Sequence, residues 1–228
     1  MLINLRNALM ASRRSPLPPG ARWVEYLEST GTGDTLAWVD TGIPNTANIR
    51  VEATARCVAT SLYNVIDLYV FGSGWGANKG TAYGIVYSDN WTSLGKCMLL
   101  TRGNVGGSFS SDMGTSITGD GQFHSFVYET NDSMSSITVD NGTPFVITTP
   151  RNLDGTTYGI FGPRNGGTTS GIAQIAQLKI YDANGILVRD FRPIAIGSKG
   201  YMLDMVSGQY LQYGNAGTGD FVLGPDAN

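Results

Sequence analysis

Two Asn-Gly dipeptides, Asn141-Gly142 and Asn184-Gly185, each stand between runs of alternating apolar and polar residues. The runs are ITVD and TPFVI around the first pair, QLKIYDA and ILVRDF around the second. An Asn-Gly pair reaches the positive φ angles of a type I′ turn at low cost, and that turn joins neighbouring antiparallel strands. A chain organised by such hairpins is expected to be an antiparallel β-protein. In QLKIY, Leu178 and Ile180 share one face, with Gln177, Lys179 and Tyr181 on the other. One dry face and one wet face is the mark of a strand in a two-sheet sandwich. The arm after Asn184-Gly185 is less regular, because Ile186, Leu187 and Val188 are consecutive. The 31 glycines among 228 residues fit many tight turns. No three-residue repeat accompanies them, which excludes collagen, and no longer fixed period points to a solenoid or propeller.

Further strands are expected over residues 23–27, 49–55 and 63–71, the last apolar enough for a central position. Residues 72–80 (GSGWGANKG) read as a loop, 82–87 and 96–101 as a pair, and 122–129 and 136–139 as two more strands. The length suits a single all-β domain, assigned to residues 21–228. Residues 1–20 are set apart from it. Within them Leu2, Ile3, Leu5, Leu9 and Met10 fall near helical spacing, with Arg6 and Asn7 opposite. Such a short segment is either an unstructured tail or a docking and oligomerising helix, and the sequence favours neither. The SPLPPG stretch that follows cannot continue a helix and reads as an extended linker.

Charged residues are only 14 % of the chain and the net charge is −3, so no nucleic-acid surface is expected. No apolar run approaches the ~18 residues that cross a bilayer, so no membrane span is expected. The opening residues lack the order of a secretion signal: Arg6 and Asn7 interrupt the apolar stretch, and Arg13-Arg14 follow it. Classical export is therefore not expected. Cys57 and Cys97 read as buried thiols of a reducing compartment, with a single disulfide as the alternative.

The segments FHSFVYE and ITVDNG, with the later IAQLKIYDANGILVRDF, resemble the paired and near-terminal strands of laminin-G-like, concanavalin A-like jelly rolls. More narrowly, WVEYLESTGTGDTLAWVDTGI, IFGPRNG and VSGQYLQYGNAGTGDFVLGPD look like a subgroup common in tailed-phage structural proteins, with related modules in surface proteins of gut bacteria. The resemblance spans roughly Trp23 to Asp226. It implies two antiparallel sheets packed face to face, an all-β jelly-roll sandwich, with carbohydrate or protein bound on a concave face or on edge loops. Calcium is implied for some members by the same resemblance alone. The 14 aspartates here are dispersed, without the dense run that a calcium loop needs, and no metal site is expected.

Enzymatic chemistry finds little support in the residues. A glycosidase needs two carboxylates converging on one bond. The chain has four glutamates, Glu25, Glu28, Glu52 and Glu129, and Glu25 and Glu28 would face opposite ways in a regular strand. His124, the single histidine, has no nucleophile motif beside it and reads as a sheet-face residue packing against ITVD. One histidine and two distant cysteines do not make a zinc spacing, and the glycine runs lack the ending of a phosphate loop. The expectation is therefore no catalytic residue and no cofactor.

Recognition remains. An aromatic ring with nearby amides and carboxylates suits a sugar, and Trp75 with Asn78 has that composition. So does Trp91 with Asp89 and Asn90. The competing explanation for either tryptophan is packing against the core or capping of a loop. Trp23 and Trp38 read as structural. The resemblance, with the absent export pattern and the short segment before a Pro-rich linker, implies a non-enzymatic virion component, a capsid decoration, head fibre or tail appendage made in the host cytoplasm. Leu2, Ile3, Leu5, Leu9 and Met10 would anchor it to capsid or tail proteins or bundle it into a homo-oligomer such as a trimer, and the sandwich would touch host glycans. The alternative is a lectin-like carbohydrate-binding module of a bacterial surface protein.

Overall fold

The computed structural model describes residues 17–29, 37–58, 68–73, 81–86, 96–101, 112–116, 121–148, 155–161, 172–211 and 220–227, and these hold strands and turns with no helix among them. The strands run in order β1 (Ala21–Trp23), β2 (Leu27–Glu28), β3 (Val39–Pro44), β4 (Ile49–Val58), β5 (Leu68–Ser73) and β6 (Thr81–Val86). They continue with β7 (Lys96–Thr101), β8 (Asp112–Ser116), β9 (His124–Thr130), β10 (Ser135–Val139), β11 (Phe145–Ile147) and β12 (Thr157–Ile160). The last are β13 (Ile172–Asp182), β14 (Leu187–Ile196), β15 (Lys199–Asp204), β16 (Tyr210–Leu211) and β17 (Val222–Leu223).

They form two antiparallel sheets. The larger has the order β11-β10-β9-β4-β13-β14-β15-β16, with β1 added to β14, β2 to β13 and β17 to β2. The smaller has the order β3-β12-β5-β6-β7-β8. One apolar core joins them. Phe71 on β5 and Tyr158 on β12 stack at 4.9 Å, and the Phe71 ring lies 6.4 Å from Tyr128 on β9 of the larger sheet. Val51, Phe126, Ile137, Leu178, Ile180 and Phe191 line the larger sheet's inner face, and Val39 and Ile160 answer from the smaller. Each such burial stabilises by roughly 1.5–3 kcal/mol before entropy is counted.

Strict alternation in IRVEATAR gives β4 its two faces: Ile49, Val51, Ala53 and Ala55 are buried, while Arg50, Glu52, Thr54 and Arg56 point outward. β13 pairs with β4 along its length but carries one extra residue. Ile175 opposes Ala55 and Gln177 opposes Thr54, which leaves Ala176 unmatched. That bulge lets Ile175 and Leu178 both face the core although they are three residues apart. A second register shift beside the β13–β14 turn accounts for the consecutive Ile186, Leu187 and Val188: Tyr181 opposes Leu187, but Ile180 opposes Arg189.

Both hairpin turns differ in detail from the type I′ expectation. At Asn184-Gly185 only Gly185 has a positive φ, 74°. Asp182 Oδ1 accepts the N–H groups of Asn184 and Ile186, both at 2.9 Å, and Gly185 N–H donates to Asp182 O at 3.0 Å. The Asp182 carboxylate thus organises a three-residue loop in which glycine takes the left-handed position after the turn. At the other hairpin the positive φ angles belong to Asp140 (48°) and Asn141 (59°), one residue earlier than expected. Asp140 is tied to β9, its N–H donating to Ser125 O at 2.9 Å, so the turn begins there and β11 starts only at Phe145.

The opening strand expected over 23–27 is split. β1 pairs with β14 and β2 with β13, and between them Val24 N–H still donates to Pro193 O of β14 at 3.3 Å while residues 24–26 also pair with the C-terminal segment. Glu25 N–H donates to Pro225 O at 2.8 Å and Gly224 N–H to Tyr26 O at 2.9 Å. The end of the expected linker is not extended either: Ala21 N–H donates to Pro18 O at 2.9 Å, closing a turn around Pro19-Gly20. The pairing expected between residues 82–87 and 96–101 is present as β6 and β7. Of the expected loop over 72–80, Gly72 and Ser73 belong to β5, and 74–80 lie outside the described residues. The segment Leu2 to Met10, read as either a tail or a docking helix, also lies outside them.

Candidate functional site

The sequence-selected sugar residues occupy two connections of the smaller sheet. Trp75 and Asn78 fall between β5 and β6, and Asp89, Asn90 and Trp91 between β6 and β7; all five lie outside the described residues. The two connections start from opposite ends of β6. Six strand residues separate those ends by roughly 17 Å. The anchoring candidates Leu2, Ile3, Leu5, Leu9 and Met10 lie outside the described residues as well. Trp38 packs against the core and over Gly159, and Trp23 is partly buried on β1. Cys57 lies on β4 in the larger sheet and Cys97 on β7 in the smaller.

The structure assembles other groups that the sequence did not single out. On the outer face of β4, Arg50 and Glu52 are neighbours two residues apart, and Glu129 on β9 lies directly opposite Arg50. The guanidinium takes Glu129 Oε1 at 2.9 Å and Glu52 Oε1 at 2.9 Å, while Tyr181 Oη donates to Glu52 Oε2 at 3.1 Å. Burial pulls the Arg50 pKa down, but the hydrogen bonds and charges of Glu52 and Glu129 outweigh it and hold the group above its ordinary value. Burial and the Glu52 carboxylate together raise the Tyr181 hydroxyl. The Arg50 guanidinium therefore stays charged across neutral pH. The Arg-x-Glu spacing was the visible half of this cluster; the partner strand was not.

A second row crosses three strands where Arg56, Gln174 and Glu28 stand in register. Arg56 Nε donates to Gln174 Oε1, and Gln174 Nε2 donates to Glu28 Oε2. The Arg56 guanidinium also lies 4.6 Å from the Phe123 ring centre and 5.2 Å from that of Tyr26. A cation over two ring faces holds the start of β9 against the turn between β1 and β2. Glu28, taken as half of a mismatched acid pair, is thus a hydrogen-bond acceptor at the end of a chain.

His124 has the neighbour its sequence suggested. Its ring is largely buried at the start of β9, and Nδ1 donates to Asp140 Oδ2, the Asp of ITVD, at 2.6 Å. Asp140 Oδ1 accepts the Ser125 N–H at 2.9 Å. Burial pushes the Asp140 carboxyl up, but His124 and the Ser125 bonds outweigh it and leave the pKa below the ordinary 3.8. Among the described residues no group of three or more His, Cys, Asp or Glu is placed to hold a metal ion, and no helix is long and apolar enough to cross a membrane.

No protein-family model matches the chain, and no curated protein matches it. Among solved structures, one titled "The crystal structure of native glycosidic hydrolase" is similar over 70% of this chain at 14% identity and a TM-score of 0.30. The chain spans 65% of that structure, less than two thirds of its length. So distant a likeness bears neither on topology nor on chemistry.

Proposed function

We propose that this chain is a non-enzymatic display module of a virion, a capsid decoration, head fibre or tail appendage built on a jelly-roll sandwich. One observation carries the non-enzymatic part. Glu52 and Glu129, the glutamates brought side by side on the larger sheet, both grip the Arg50 guanidinium. A glycosidase pair needs one carboxyl protonated and the other free toward the sugar. A cation between the two occupies an oxygen of each. The jelly-roll topology is supported by a chain that passes repeatedly between the sheets: β2 to β3 to β4 to β5, then β8 to β9, then β11 to β12 to β13.

The virion assignment rests on the resemblance of the segments 23–43, 160–166 and 206–226. In this proposal Leu2, Ile3, Leu5, Leu9 and Met10 attach the module to capsid or tail proteins, and the connections holding Trp75 and Trp91 face host glycans. Deletion of residues 1–20 is expected to leave a folded domain that no longer joins particles. Normal assembly of the truncated chain would overturn the anchoring role. Turnover of a polysaccharide that disappears on Glu52→Gln or Glu129→Gln would overturn the non-enzymatic one.

A further inference from the structure

The Asn-Gly dipeptides that mark two hairpins of the larger sheet carry a chemistry beyond their turn geometry. In such a pair the glycine nitrogen can close a ring on the asparagine side-chain carbon, and no Cβ hinders its approach. The peptide nitrogen gives its proton to hydroxide and attacks Asn Cγ. A C–N bond forms, the amide nitrogen takes a proton from water and leaves as ammonia, and a succinimide remains. Water then opens the ring at either carbonyl to give aspartate or isoaspartate, with no oxidant or reductant involved. A turn whose peptide groups are hydrogen-bonded in place must open before the attack, so in a folded chain the rate follows local opening.

The two turns differ in what holds them shut. Asn184-Gly185 joins β13 to β14 inside the larger sheet, with β4 and β15 as the next strands on either side. Three N–H groups of that loop are tied to one residue: Asn184 and Ile186 to Asp182 Oδ1, and Gly185 to Asp182 O. The Asp182 carboxylate thus sits between the N–H groups that flank Gly185, where its charge opposes deprotonation of the Gly185 nitrogen and the negative oxygen that attack creates. Asn141-Gly142 instead joins β10 to β11, the outermost strand of the same sheet. β11 is held through three residues, Phe145, Val146 and Ile147, opposite Ile137, Ser136 and Ser135. Both Asn141 and Gly142 are exposed, and the Gly142 N–H rests on one bond, to Val139 O at 2.8 Å. The neighbouring Asp140 carboxylate is turned toward β9, where His124 Nδ1 and the Ser125 N–H hold it. Opening a short edge hairpin costs less than opening one inside the sheet. We propose that Asn141 is a site of spontaneous deamidation in the folded protein, through the Gly142 nitrogen, and that Asn184 is spared. Conversion adds a negative charge to a chain of net −3 and, as isoaspartate, an extra backbone carbon to the β10–β11 turn. It alters an exposed tip of the sandwich and leaves the interior of the sheet intact. Nothing in this depends on the display role.

The test follows the full chain in mildly alkaline buffer, folded and in urea, with digestion at intervals and tandem mass spectrometry to locate each amide that has become an acid. In urea Asn141 and Asn184 are expected to convert at similar rates. In the folded chain Asn141 should convert at least about tenfold faster than Asn184, because the edge hairpin opens more often. A third Asn-Gly pair, Asn165-Gly166, lies outside the described residues and is scored separately. Gly142→Ala, at a position whose φ is not positive, should slow conversion of Asn141 in both states by hindering ring closure. Its rate in urea reports the route even if that variant fails to fold, and an unchanged rate there would overturn the role of the Gly142 nitrogen. Equal rates at Asn141 and Asn184 in the folded chain, or Asn184 ahead, overturn the proposal. So does an Asn141 that stays an amide in the folded chain while it converts in urea.

Discussion

Single side chains carry most of what was hidden in the chain. Gly200 on β15 faces inward, and a Cβ there would lie 2.6 Å from Leu27 Cδ2 and 3.1 Å from Phe221 Cβ. Gly200→Ala is expected to cost about 1–3 kcal/mol by overpacking, measured as a lowered urea midpoint at constant m-value. Asp140 gives a pH dependence of known sign. Its folded pKa is depressed, so the unfolded chain binds the extra proton and the stabilisation is fully present above 3.8. It is lost as pH falls through the lower, folded value. Asp140→Asn keeps a residue tolerant of positive φ, so urea midpoints should differ between the two proteins at pH 7 and converge in strong acid. A difference that persisted undiminished in acid would mean the carboxylate charge is not what stabilises the turn.

At the scale of elements, the β13–β14 hairpin separates sequence signal from structural outcome. Asn184-Gly185 marked the turn, but Asp182 selected its type by accepting two N–H groups. Gly185→Ala should cost about 1–2 kcal/mol from left-handed strain, whereas Asn184→Ala, whose φ is not positive, should be nearly neutral. Comparable losses at both positions in thermal unfolding would restore the two-residue turn. β4 was legible because its alternation is unbroken, and β13 was legible from Gln177 onward, beyond the bulge at Ala176. The opening strand was misjudged because apolar content in WVEYL reports burial and not partner: residues 21–24 bond to β14, while 24–26 also pair with 224–226.

Across the whole molecule, the two ends of the described domain hold each other. Arg22 Nε meets Asp226 Oδ1 at 2.6 Å, Ala227 N–H donates to Trp23 O at 3.1 Å, and Phe221 packs on Phe161 at 5.2 Å in the core. The exposed ion pair contributes little by itself; the buried ring contributes more. Phe221→Ala is expected to cost about 3–5 kcal/mol and to shift one cooperative transition, seen alike by tryptophan fluorescence and far-UV circular dichroism. Separate transitions by the two probes would show that the C-terminal segment is an appendage. Alternation, turn residues and glycine content were enough for the sequence to determine an antiparallel, two-faced β-protein, because those signals act between neighbours along the chain. The pairing of β4 with β9 and the Arg50 clamp were decided only by the tertiary structure. Which strands lie side by side depends on how the faces of two whole sheets fit, and no local spacing encodes that.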